Sequence, residues 1–202
     1  MRILRDETGA APIEGLMEGL LLLTWIMVAY QFYDAFRLRA LVGSATYTVA
    51  DLISRQKGAI GPAFIDGNKH IFDQMTQVHD SSRSWMRVTL VTCPATSTDL
   101  LPCDGTIKQF RMDTSYATGT HAALTQADIT AAGSRVPVMG AGDAAVVLET
   151  FYSYWPIFDI ADKTMTLDGQ TSFTLGLGSG IVFREFVVTR PRGPHTVWNS
   201  SK

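Results

Sequence analysis

Charge is scarce in this chain of 202 residues: Asp, Glu, Lys and Arg make up only 18%, low for a water-soluble domain. The 17 basic and 19 acidic residues leave a formal net charge of -2. No basic excess points to nucleic acid, and no acidic block points to a disordered tail. Of the four histidines, His70, His79, His121 and His195, no two have metal-ligand spacing. The glycine runs at 176–180 (GLGSG) and 140–143 (GAGD) lack the lysine and the following helix of a phosphate loop. Ser44 falls in a helical stretch rather than at a strand-to-helix elbow. Asp99 and Asp104 bring too few oxygens together for a calcium site. Trp85 and Trp155 read as core or strand-pair residues rather than a ligand cage. With no catalytic constellation, the expectation is a non-enzymatic chain without cofactor or metal.

Cysteine is also rare. Cys93 and Cys103, in CPATSTDLLPC, have no second pair nearby to complete a zinc site. Their spacing is not that of a thioredoxin-like motif. A short-loop disulfide is the favoured reading, with two unrelated buried thiols as the alternative. Such a bridge stabilises by roughly 3 kcal/mol on chain entropy. It would place everything after the apolar segment in an oxidising compartment.

The apolar residues, by contrast, are concentrated. Residues 19–33, GLLLLTWIMVAYQFY, carry no charge. Three readings compete. A cleaved secretory signal needs a small-residue cut site, but YQFYDAFRLRALVGSA follows, and Asp6 and Glu7 dilute the positive leader. A buried core helix suits the short charge-free run. A membrane helix over 15–33 would span about 28 Å, close to the hydrocarbon thickness. Tyr30, Phe32 and Tyr33 at its far end suit an interfacial belt. The membrane helix is preferred. From 34 to 56 the pattern becomes one-sided, with apolar residues mostly three and four apart, and Gly58 and Gly61-Pro62 close it. One helix of residues 10–56 is expected, its second half docking through Leu41, Ala45, Val49 and Leu52.

Glu14 and Glu18 share one face of that helix. Ionised in lipid, each would cost on the order of 2–3 kcal/mol, less near an interface. Either both lie at the headgroup boundary or one has a partner. GAAPIE places Glu14 fifth after Gly9, with the apolar run behind it. This resembles the type III signal of type IV pilins and pseudopilins, and DETGAAPIEGLMEGLLLL more closely resembles the TadE/TadG-like minor pilins of the tight-adherence pilus. Residues 142–158 and 184–192 resemble the family's strand of valines and aromatics and its closing strand. The resemblance implies a prepilin peptidase cut between Gly9 and Ala10. It also implies that Glu14 pairs with the free amino terminus of a neighbouring subunit during assembly. The implied partners are other pilin and minor pilin subunits, the peptidase, the inner-membrane assembly platform and lipid. Gly15 stands where these pilins usually carry a large apolar residue, Pro12 lies between cut and glutamate, and Glu18 is an added acid. An unprocessed single-span protein is the alternative.

Beyond the helix, 62–78 reads as a second helix, and 84–93 and 106–116 as strands joined by the cysteine loop, with Met86, Val88 and Leu90 on one face. A long strand follows at 143–158. Residues 171–188 form either a strand, turn and strand or one bulged strand. The fold class is α+β: a long N-terminal membrane and amphipathic helix packed on a C-terminal antiparallel sheet, pilin-like in layout. The division expected is a leader at 1–9, the helix at 10–56, an extracytoplasmic domain at 57–190 and an exposed, poorly ordered tail at 191–202. Arginines on both sides of the span leave orientation open; the disulfide and the resemblance put the leader in the cytoplasm and the domain in the periplasm. Two functions follow: a pilus subunit that acts by packing, or a membrane-tethered periplasmic domain that binds a ligand or envelope partner.

Overall fold

The computed structural model describes residues 11–78, 80–157, 165–167, 171–173, 177–178, 180–193 and 197–201. The leader and the Gly9–Ala10 junction lie outside them. Helix α1 runs unbroken over Ala11–Arg55, about 68 Å at the usual rise. Pro12 sits in its first turn, where a missing N–H costs nothing. Then come α2 (Pro62–Met75), β1 (Ser84–Thr92), β2 (Arg111–Ala117), α3 (Gln126–Ala131), β3 (Ala144–Ser153), β4 (Met165–Leu167), β5 (Thr171–Phe173) and β6 (Val182–Thr189). The chain divides into two compact units, one of α1 to Arg37 with 154–181, the other of 38–153 with 182–202.

The larger unit is the expected α+β arrangement, with the second half of α1 packed on a four-stranded antiparallel sheet in the order β2-β1-β3-β6. Steps of three and four place Val42, Ala45, Val49 and Ile53 on one stripe of α1, and all four are fully buried. They pack with Ile65 and Phe72 of α2 against Met86, Val88 and Leu90 of β1 and Val146 and Leu148 of β3. Within this apolar layer Thr46 donates to the Val42 carbonyl (2.7 Å). The Thr46 oxygen then accepts from the Thr150 hydroxyl at 2.7 Å, so neither buried group is left unsatisfied. The docking face is rotated from the one expected. Leu41 is half-buried and Leu52 is exposed, while Thr46 and Ala50 are buried in their place.

Residues of β3 alternate between two covered faces, so the strand reads as a nearly continuous apolar run. Its other face carries Val147 and Ala145, which pack with Val91, Phe110, Ile129, Val136 and Met139 beneath a lobe formed by 93–143. Cys93 and Cys103 form a disulfide, with Cα atoms 5.6 Å apart. Cys103 also exchanges two backbone hydrogen bonds with Met139 (2.9 and 3.0 Å). The bridge therefore ties the end of β1 to the segment before β3, inside a long connection, rather than at a hairpin turn.

Two further boundaries differ from expectation. Strand β2 begins at Arg111 rather than at residue 106. The Asp104 carboxylate accepts the N–H groups of Thr106, Ile107 and Lys108 (2.9, 2.8 and 3.2 Å), and these bonds hold its pKa down to about 2. The chain curls there, with Gly105 at φ +76 and its Cα so close to Gly133 that a Cβ would fall 2.5 Å from the Gly133 carbonyl carbon. Among the described residues β5 pairs with β4, and β6 with β3. Helix α2 stops at Met75, where Gln77 adopts a positive φ of 57. The tail also departs from its expected disorder. Arg192 donates to the Ser54 carbonyl (2.8 Å) and pairs with Asp51 (2.9 Å). Ile60 bonds to Val197 and Asn199 on either side of Trp198 (3.0 and 2.8 Å), and Trp198 packs on the core. The free backbone edge between α1 and α2 recruits it.

Candidate functional site: the apolar helix and its acidic end

From Ile13 to Ile26 the large apolar side chains of α1 are exposed on every side. Leu20, Leu21, Leu22 and Leu23 point in four directions around the axis, and each is more than half exposed. A helix apolar all round belongs in a protein core or a membrane, and among the described residues nothing buries its most apolar stretch. It is long and apolar enough to cross a bilayer. Its backbone bonds are internal, as a bilayer requires. Thr24, the one hydroxyl within the leucine-rich stretch, donates to the Leu20 carbonyl at 2.9 Å.

Glu14 lies in the first turn of α1, where the partial positive charge of the helix N-terminus favours an acid. Glu14 and Glu18 are both exposed. Neither meets an ion-pair partner among the described residues. Beside them Gly15 and Gly19 leave an open strip, with nothing within 4 Å of where either Cβ would lie. Small residues four apart let a second helix approach closely in lipid. Gly15, a departure when read alone, gains a physical use once paired with Gly19. That spacing was visible in the sequence and went unread.

A second residue that sequence reasoning missed is Gln31. It is 1% exposed, next along its face to half-buried Met27 and Val28 and buried Asp34 and Ala35. Its backbone carbonyl accepts from the Tyr154 hydroxyl (3.4 Å), and its side-chain oxygen accepts from the Leu177 N–H (3.3 Å). Tyr154 and Leu177 are thus both held against α1 at Gln31. A lone glutamine near the end of an apolar run was the only local signal.

Elsewhere the polar groups satisfy one another. On α2, Lys69 pairs with buried Asp73 (2.6 Å), which also accepts from the Ser84 hydroxyl. A cleft of about 620 Å³ between α2 and the start of β1 includes Asp66, His70, Trp85 and His121. Trp85 is stacked on one face by His121 (4.1 Å) and on the other by Phe151 (3.7 Å), so neither face is open to a ligand. Among the described residues no three His, Cys, Asp or Glu side chains are placed to hold a metal. Asp99 is engaged by Lys108 at 2.9 Å and by the Leu101 N–H. No family model, curated protein or solved structure matches the chain.

Proposed function

We propose that this chain is a structural subunit of a pilus or pseudopilus of the TadE/TadG-like kind, anchored by α1 in the inner membrane and acting by packing rather than by chemistry. The observation that carries the reading is an apolar helix, exposed all round from Ile13 to Ile26 among the described residues, that opens on exposed Glu14 in its first turn. A carboxylate placed there needs a neutralising partner once surrounded by lipid. A free amino terminus at Ala10 on a neighbouring subunit would supply it, and the Gly15–Gly19 strip would admit that neighbour's helix. In this reading the leader faces the cytoplasm and meets a prepilin peptidase. The disulfide-bonded unit faces the periplasm, consistent with a compartment in which disulfides persist. The other partners are pilin subunits, the assembly platform and lipid.

The mature N-terminus tests this. Intact-mass analysis of protein extracted from its native membrane is expected to place it at Ala10. A retained leader would remove the processed-subunit reading and leave a single-span tethered domain.

A further inference from the structure

We infer that Trp155 and Ile157 form a second contact with the bilayer surface, set at the level where α1 leaves the hydrocarbon. The inference rests on α1 spanning the membrane, and it names a lipid surface as the occupant. Residues 154–157 follow β3 directly and continue its alternation of burial: Tyr154 and Pro156 are buried, while Trp155 and Ile157 are 57% and 59% exposed. Burial of period two puts alternate side chains on one face, so the two large apolar groups are exposed together.

Their height is fixed by Gln31. The Tyr154 hydroxyl and the Leu177 N–H both bond to that residue, and the Tyr154 N–H bonds to the Ile181 carbonyl at 2.8 Å, which secures the segment at its Tyr154 end. On α1 the charge-free run ends at Tyr33 and the first charged side chain is Asp34, about 4.5 Å along the axis from Gln31. Tyr30, Phe32, Tyr33 and Phe36 are exposed around that point. Amphipathic aromatics gather at the headgroup level. The fold-back segment therefore meets the helix within its aromatic belt and adds a tryptophan and an isoleucine there. Two contacts on one side of the helix would set its tilt and rotation, which a single span leaves free.

Spin-label accessibility decides the question in the full chain. Cys93 and Cys103 are bonded to each other and no cysteine is free, so a cysteine introduced by Ile157→Cys takes the label alone. The protein is placed in vesicles of phosphatidylcholine and phosphatidylglycerol. Leu22→Cys serves as the hydrocarbon reference and dissolved label as the aqueous one. The ratio of oxygen to nickel-chelate accessibility at 157 is expected to lie several-fold above the aqueous value and below that at 22. An aqueous value at 157 with a buried value at 22 overturns the inference, keeps the span, and leaves the pair for a protein neighbour. A value at 157 equal to that at 22 also overturns it, because the segment would then lie in hydrocarbon. An aqueous value at 22 overturns the span and the inference together. If Ile157→Cys fails to melt cooperatively, Trp155→Cys carries the same measurement.

Discussion

The two halves of α1 share one backbone and one helical geometry, yet they are built for different solvents. From Ile13 to Ile26 the apolar side chains are exposed in every direction among the described residues. After Leu38 the buried apolar residues contract to a single stripe, and the positions off that stripe are polar, small or, like Leu41 and Leu52, at least partly exposed. Secondary structure is therefore not what distinguishes an anchor from a domain helix. The angular distribution of burial is. Polar groups sort the same way. In the first half Thr24 satisfies itself within its own helix, whereas in the second half Thr46 reaches across to Thr150 on β3.

The widest separation between the halves is expected from Glu14→Gln. The substitution keeps the side chain's shape and removes its charge. The variant should insert, fold and accumulate normally, since Glu14 touches nothing in the folded units, but it should abolish pilus assembly in a strain lacking the wild-type copy. Electron microscopy of shed or attached filaments reads this. Normal piliation would defeat the assembly role, and a loss of protein level would assign Glu14 to bilayer placement alone. Under the proposed pilus role Glu18→Gln should do less, because the pairing proposed there involves Glu14 alone.

Val49→Asp attacks the other half. It buries an unpaired charge in the layer between α1 and the sheet, at a position with no exposure. The expected cost is about 4 kcal/mol or more, enough to unfold a domain of ordinary stability. Circular dichroism in detergent measures it. Leu22→Asp is the matched control: the melt of the folded units should be unchanged, while membrane insertion should weaken by about 3 kcal/mol. Equal melts for the two variants would dissolve the distinction.

Next in size is the disulfide. Cys93→Ser with Cys103→Ser should lower stability by about 3 kcal/mol on the chain-entropy estimate, and the loss should fall on the lobe of 93–143. Hydrogen exchange should show the Cys103 and Met139 amides, which bond to each other's carbonyls, losing protection before those of β1 and β3. Non-reducing mass spectrometry of native-membrane protein should find no alkylatable thiol.

Much of this was legible because short-range patterns carried it. The apolar run, the acidic pair, the period-two run of Met86, Val88 and Leu90, and the two cysteines each declare themselves within about ten residues. What was not legible depends on partners far away in the chain. Residues 106–110 alternate like a strand, but Asp104 takes their amides first and turns them into a loop. The tail from Arg192 looks unpatterned because its order comes from Ile60 and Asp51. Gln31 is ordinary until Tyr154 and Leu177 are placed against it. Part of the candidate site is thus local, in Glu14 and Gly15, and part is not.

The finest test concerns the edge of the stripe. Leu52 fits the three- and four-residue steps as well as Ile53 does, and sequence periodicity cannot choose between them. The structure leaves Leu52 39% exposed and Ile53 wholly buried. Leu52→Asp removes only a partly buried side chain and sets an acid near the C-terminal end of α1, where the helix dipole disfavours it by a few tenths of a kcal/mol. Asp51 next to it is already shared between Arg55 (2.7 Å) and Arg192 (2.9 Å), so a second carboxylate would compete for the same arginines rather than stand unpaired. The expected cost is about 1 kcal/mol or less. Ile53→Asp should match Val49→Asp instead. Comparable losses at 52 and 53 would mean that the helix is rotated by about half the angle between adjacent residues, roughly 50°. Leu41, now half-buried, would then turn toward the core as Leu52 does, and Leu41→Asp measured beside the other two would show by its own cost which rotation the helix adopts.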